Sequence, residues 1–167
     1  KQQGIIDHQL TNKNIVLIFA KPSTRTRCAF EVAAFDEGAH VTTLTNSHFG
    51  KKESIEDSAQ VLSRYYDGIM YRGSHQADIT TLAHHATIPV WNGLTDEFHP
   101  TQLLADLLTI EEHINKPLTA IKVVFVGDVN NNLGHSWRIA AAKMGMHFVG
   151  LSPQSFMPNP TQYATLA

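Results

Sequence analysis

The chain has 167 residues, 43% hydrophobic and 17% charged, with a formal net charge of −2. This is ordinary globular composition, with apolar mass for one full domain core and part of another. The near-neutral balance argues against a nucleic-acid binder, which carries a basic excess, and no apolar run approaches the roughly 20 residues of a membrane span.

Apolar runs rich in β-branched residues alternate with helical periodicity along the whole chain. The first predicted strand, 15–19, runs through Ser23-Thr24-Arg25-Thr26-Arg27 into a helix over 24–37, with Ser23 as its cap and Gly38 as its stop. Cys28 falls inside this helix and reads as a small packed apolar residue. As the only cysteine it excludes an internal disulfide and makes an intracellular setting the default. A strand over 40–45 and a helix over 54–66 follow, the helix opening on Ser54-x-x-Asp57 and presenting Ile55, Ala59, Leu62 and Tyr66 on one face. Next come a strand over 68–71 ending at Arg72, a helix over 76–86 and a strand over 88–91. Phe98-His99-Pro100-Thr101-Gln102 then opens a helix over 101–113, whose Leu103, Leu104, Leu107 and Leu108 are expected in the core. Asn115-Lys116-Pro117-Leu118 breaks the pattern and marks a boundary. Beyond it lie a strand over 121–126, a Gly127–Asn132 loop, a helix over 133–144 and a strand over 146–151. The fold class is therefore α/β: a parallel sheet flanked by helices over 1–118, then the first β-α-β part of a second α/β domain over 119–167. Ten histidines show no paired metal-ligand spacing, so neither a metal nor a cofactor is expected.

A strand that delivers hydroxyls and arginines to a helix N-terminus makes a site for a phosphate dianion. The first turn leaves backbone N–H groups unpaired and carries partial positive charge. Arg25 and Arg27 add guanidinium forks, while Ser23, Thr24 and Thr26 add hydroxyl donors. The plain alternative is a capped helix with solvated arginines. His99 and Gln102 stand three apart around their own helix start and can face one pocket. A cap or surface histidine is the plain alternative there.

Together, Ser-Thr-Arg-Thr-Arg and, about 75 residues later, His-Pro-Thr-Gln resemble the aspartate/ornithine carbamoyltransferase family. Tyr71-Arg72-Gly73, Pro89-Val90-Trp91-Asn92-Gly93-Leu94 and Gly127-Asp128-Val129-Asn130-Asn131-Asn132 fall in family order. The resemblance covers nearly the whole chain. It implies a carbamoyl-phosphate domain followed by an amino-acid domain, with carbamoyl phosphate as donor. It assigns the phosphate clamp to Ser23, Thr24, Arg25 and Thr26. Arg72, His99 and Gln102 are implied as catalytic: Arg72 bridging phosphate and carbonyl oxygens, His99 donating to the carbonyl oxygen, Gln102 meeting the carbamoyl NH₂. The Gly-Asp-x-x-Asn-Asn pattern is similar to that of the ornithine-using members and gives Asn132 contact with the amino-acid head group, a loop asparagine capping the next helix being the plain alternative. L-ornithine is thus the expected amine, with putrescine or aspartate as alternatives and a non-catalytic phosphate-binding module as the rival outside enzymes.

The segment Asn46-Ser47-His48-Phe49-Gly50-Lys51-Lys52-Glu53-Ser54 resembles the family loop that reaches into a neighbouring subunit's site, though many ornithine enzymes have Gln where His48 stands. The resemblance implies a homotrimer with shared sites, His48 serving in trans, in the cytoplasm, with no nucleic-acid or membrane partner. Lys1 in the first position and the absence of the family's Ser-Met-Gly and His-Cys-Leu-Pro loops give the expectation of a fragment, inactive alone.

Overall fold

The computed structural model describes residues 8–45, 49–50 and 52–158. Its elements run β1 (Asn14–Phe19), α1 (Thr24–Asp36), β2 (His40–Thr45), α2 (Ile55–Tyr65), β3 (Gly68–Arg72), α3 (Gln76–His85), β4 (Val90–Leu94), α4 (Pro100–His113), β5 (Lys122–Val126), α5 (Asn132–Met144) and β6 (His147–Leu151). Contacts divide the chain into two compact units, Lys1–Gly93 and Leu94–Ala167.

In the first unit the sheet has strand order β2-β1-β3-β4, with β1 parallel to both β2 and β3. The chain steps outward from β1 to β2, then reverses past β1 to reach β3. Right-handed crossovers in opposite directions require helices on opposite faces, and the core divides that way. Ile15, Leu17 and Phe19 pack with Phe30 and Ala34 of α1 on one face. Val16 and Ile18 pack with Ala59 of α2 and Ile79 and Leu82 of α3 on the other. A central strand buried on both faces has to be apolar at every position, which is why 15–19 reads as a continuous run.

The helix ends follow the local chemistry. The Ser54 hydroxyl accepts from Asp57 N–H at 3.0 Å, and Gly38, at φ +84, lets the chain turn out of α1. Strand β4 lies later than predicted, at Val90–Leu94. Asn-Gly composition reads as a turn, but here Gly93 lets the backbone approach β3, since a Cβ would stand 2.4 Å from Met70 Sδ. Cys28 is exposed, against expectation. Helix α1 turns Phe30 and Ala34 to the sheet, which leaves Cys28, Val32 and Phe35 on its outer side.

In the second unit β5 and β6 pair in parallel. Along β5, Val123 and Phe125 join a core with Leu103, Ile121, Trp137, Ala141 and Met146, while Val124 and Val126 stay exposed. Helix α4, which sequence alone groups with the first domain, shares this core through Leu103, Leu107 and Ile110. The expectation of four core leucines on α4 is half right. Leu103 is 3% exposed, whereas Leu104 and Leu108, one turn apart on another face, are 69% and 56% exposed. Among the described residues no helix is long and apolar enough to cross a membrane.

Neighbouring leucines should therefore respond oppositely to truncation. In this chain Leu103→Ala should cost about 2–5 kcal/mol and Leu104→Ala within about 0.5 kcal/mol, read by urea unfolding; similar losses would contradict the assigned faces.

Candidate functional site

Reversal of strand order at β1 creates a switch point, where the carboxyl ends of β1 and β3 sit side by side and the chain leaves them toward opposite faces. Phe19 and Arg72 are register partners at that edge, and the Arg72 carbonyl accepts from Ala20 N–H at 2.9 Å. Beyond it the Ser23 hydroxyl caps α1 by accepting from Thr26 N–H at 3.4 Å. Arg72 Nη1 then donates to Thr26 Oγ1 at 2.9 Å and to the Gly93 carbonyl at 3.5 Å. Its Nε is buried with no partner among the described residues. Burial first, and then the like charge of Arg25, hold the Arg72 guanidinium below its usual range. No carboxylate among the described residues pairs with Arg25 or Arg72, and the first turn of α1 carries no acid. Thr26, Arg25 and Arg72 are thus gathered into one cationic corner.

Arg27 does not join them. Its Nε donates to Glu31 Oε1 at 2.9 Å, one turn along α1. The same carboxylate oxygen accepts from Thr43 Oγ1 of β2 at 2.6 Å. A residue three positions from Thr24 has rotated toward β2, so only one of the two expected forks is free. Arg27, Cys28, Glu31, Ser23, Thr24 and Thr45 line a groove of about 400 Å³ there.

On the other face of β3, the Tyr71 hydroxyl donates to Asp78 Oδ2 of α3 at 3.1 Å. Burial, with the Asp78 charge adding to it, raises this phenol above its usual range. Phe49 stacks obliquely on the Tyr71 ring, centroids 5.5 Å apart. His48, the residue expected to act in trans, lies outside the described residues, as does Lys51.

In the second unit His99 is the N-cap residue of α4, with Pro100 in the first turn and no side-chain cap bond. The Thr101 hydroxyl lies 3.5 Å from His99 Nδ1. One turn in, Gln102 Nε2 donates to Asp106 Oδ1 at 2.8 Å. With its Nε2 taken by Asp106, Gln102 keeps Oε1 as an acceptor.

The two asparagines that open α5 divide their tasks. Asn131 is the cap, its Oδ1 accepting from Gly134 N–H at 2.8 Å. Gly134 is required because a Cβ would stand 2.3 Å from the Val129 carbonyl oxygen. Asn132 Nδ2 donates to the Thr95 carbonyl at 2.8 Å, joining the 127–132 loop to the turn before α4. Sequence reasoning missed this seam. Thr95, Ser136 and His135 all belong to it, and a serine and a histidine inside a helix gave no signal.

Known proteins resemble the chain along the same lines. The family model for the aspartate/ornithine carbamoyltransferase carbamoyl-P binding domain matches residues 1–112, and that for the Asp/Orn binding domain matches 119–167. The protein of Clostridium perfringens (strain 13 / Type A) named "Ornithine carbamoyltransferase, catabolic" is 62% identical over 159 residues, covering 95% of this chain and 48% of the relative. The solved ornithine carbamoyltransferase from Pyrococcus furiosus is 43% identical with a TM-score of 0.88, over 94% of this chain and 50% of that one. That from Gloeobacter violaceus is 41% identical with a TM-score of 0.83, over 95% and 52%. The chain spans about half the length of the curated relatives it matches.

Glu31 reports on the β2 side of the groove. The Thr43 hydroxyl first, and the Arg27 guanidinium second, hold its carboxyl below the ordinary 4.5. A depressed carboxylate adds stability above its unfolded pKa and loses it as pH falls through the folded value. Thr43→Val should move the Glu31 titration, followed by carboxyl NMR, up toward 4.5; an unmoved titration would assign the depression elsewhere.

Proposed function

Because the chain belongs to the aspartate/ornithine carbamoyltransferase family, we propose that the complete protein transfers the carbamoyl group of carbamoyl phosphate to the side-chain amine of L-ornithine. The products are L-citrulline and phosphate, a step of arginine metabolism. The amine nitrogen attacks the carbamoyl carbon, the new C–N bond forms, and the C–O bond to phosphate breaks with its electron pair leaving on phosphate, whose oxygen takes the proton that the amine gives up. Such a step asks the protein for a dianion clamp, donors at the carbonyl oxygen and a positioned neutral amine.

Ser23, Thr24, Arg25, Thr26 and Arg72 hold the phosphate. The observation that carries the assignment is the Thr26–Arg72 clasp, built beside Arg25 on an acid-free helix start. A structural arginine is normally paired; this corner keeps two guanidinium groups together with no protein anion among the described residues. His99 donates to the carbonyl oxygen, and Gln102 offers Oε1 to the carbamoyl NH₂. Asn132, its Nδ2 already engaged with Thr95, keeps Oδ1 to offer to the amino-acid head group. Residues 1–118 form the carbamoyl-phosphate domain and 119–167 open the ornithine domain; the matched limits at 112 and 119 support that division. The protein works as a cytoplasmic homotrimer in which His48 serves a neighbour's site, supported by the resemblance of the 46–54 segment.

Calorimetry of carbamoyl phosphate against the complete protein, followed by citrulline formation with ornithine, tests the proposal. Arg25→Ala should weaken carbamoyl phosphate binding and lower the rate on the order of 10²–10³. Unchanged kinetics would refute the clamp. Binding without any carbamoylated amine would leave a phosphate-binding module, and turnover of putrescine or aspartate instead of ornithine would move the amine specificity.

A further inference from the structure

The turn before α4 and the first turns of α5 are joined by a buried hydroxyl that no role above employs. Ser136 is 5% exposed. Its Oγ accepts the backbone N–H of His99 at 2.8 Å and donates to the backbone carbonyl of Asn132 at 2.7 Å. A serine hydroxyl has one proton to donate and lone pairs to accept, so both bonds form at once. The link runs from the backbone of the residue facing the carbamoyl carbonyl to the backbone of the residue facing the amino acid.

Around it the seam is closed by other groups. Asn132 Nδ2 donates to the Thr95 carbonyl. Thr95, itself fully buried, receives Phe98 N–H on its hydroxyl at 3.0 Å, which shapes the turn that presents His99. His135 spans the same gap at the surface, with Nδ1 3.2 Å from the Glu97 carbonyl oxygen and Nε2 3.1 Å from Asn130 Oδ1. Ser136 alone among these bonds to the main chain of both His99 and Asn132.

We propose that Ser136 is a positioning residue that locks the His99 turn to the Asn132 turn, fixing the spacing between the carbamoyl-activating group and the amine-recognising group. This rests on the carbamoyl transfer proposed above. Fixed spacing matters because transfer depends on holding two reactants in near-attack geometry, where small misplacement costs rate steeply. An ordinary core serine would satisfy its hydroxyl within its own helix, by back-bonding to the carbonyl four residues earlier. Ser136 does that with Asn132 and also takes the N–H of a residue 37 positions away.

The experiment has two arms on Ser136→Ala. In the first, hydrogen exchange at the His99 amide should quicken about tenfold, the loss of one buried hydrogen bond, while amides of β1 and β3 keep their rates. Unchanged exchange at His99 overturns the lock whatever the catalytic result. In the second, citrulline formation by the complete protein should show kcat lowered about tenfold together with a raised KM for ornithine. A merely structural serine would reduce the folded fraction and so kcat, leaving KM where it was; that outcome, or wild-type values for both constants, also overturns the proposal. If wild-type protein makes no citrulline, the transferase proposal fails and the exchange arm still decides the lock.

Discussion

Like charges held together in a partly buried corner repel, and a fold keeps such an arrangement only where surrounding contacts over-determine it. Arg72 is fixed by its place at the end of β3, by its bond to Thr26 and by the Gly93 carbonyl. Burial and Arg25 both work against its charge. A doubly charged oxyanion bound there, as proposed, would relieve that opposition by supplying the acceptors and the counter-charge that no described carboxylate provides. The cationic corner is therefore both the least comfortable part of the first unit and the part that chemistry can use.

Topology builds the corner. Had β3 been added beyond β2, Arg72 would have been separated from the Ser23–Thr26 turn by an intervening strand. With the order β2-β1-β3-β4 it is the direct neighbour of Phe19. Charge at the helix starts is arranged to match. Helices α2 and α3 carry Glu56, Asp57 and Asp78 in their first turns, which offset the helix dipole. Helices α1, α4 and α5 carry no acid there, and these are the starts at which Ser23, His99 and Asn132 stand.

The second unit handles polarity differently. Along its seam the polar groups find partners: Thr95 shapes a turn, Asn132 binds that turn from α5, and Ser136 bonds to both sides. A network in which each member is paired is stiff, since breaking any bond leaves a desolvated group exposed to its full penalty. Stiffness suits the roles proposed for His99 and Asn132, meeting a carbonyl oxygen and selecting an amine. Asp106 adds a smaller constraint by taking the Nε2 end of the Gln102 amide.

Local residue order determined the alternation of strands and helices, the caps at Ser23 and Ser54, and the reading of Ser23, Thr24, Arg25 and Thr26 as an anion turn, because each rests on chemistry within a few residues of chain; the roles of Arg72, Gln102 and Asn132 came through the family resemblance. Matching 1–112 and 119–167 to one family agrees with what those motifs implied. Where neighbours in sequence take different fates, the decision was tertiary. Arg27 turns to Glu31 while Arg25 stays free, Leu103 is buried beside an exposed Leu104, Cys28 faces out of a helix whose Ala34 faces in, and Asn131 caps while Asn132 crosses to Thr95. A helix advances about 100° per residue, so only the position of the packed surface settles which side each residue takes. Ser136 was invisible for the same reason: its partner at His99 is brought near by α4 lying against α5, a packing that periodicity along one helix does not encode.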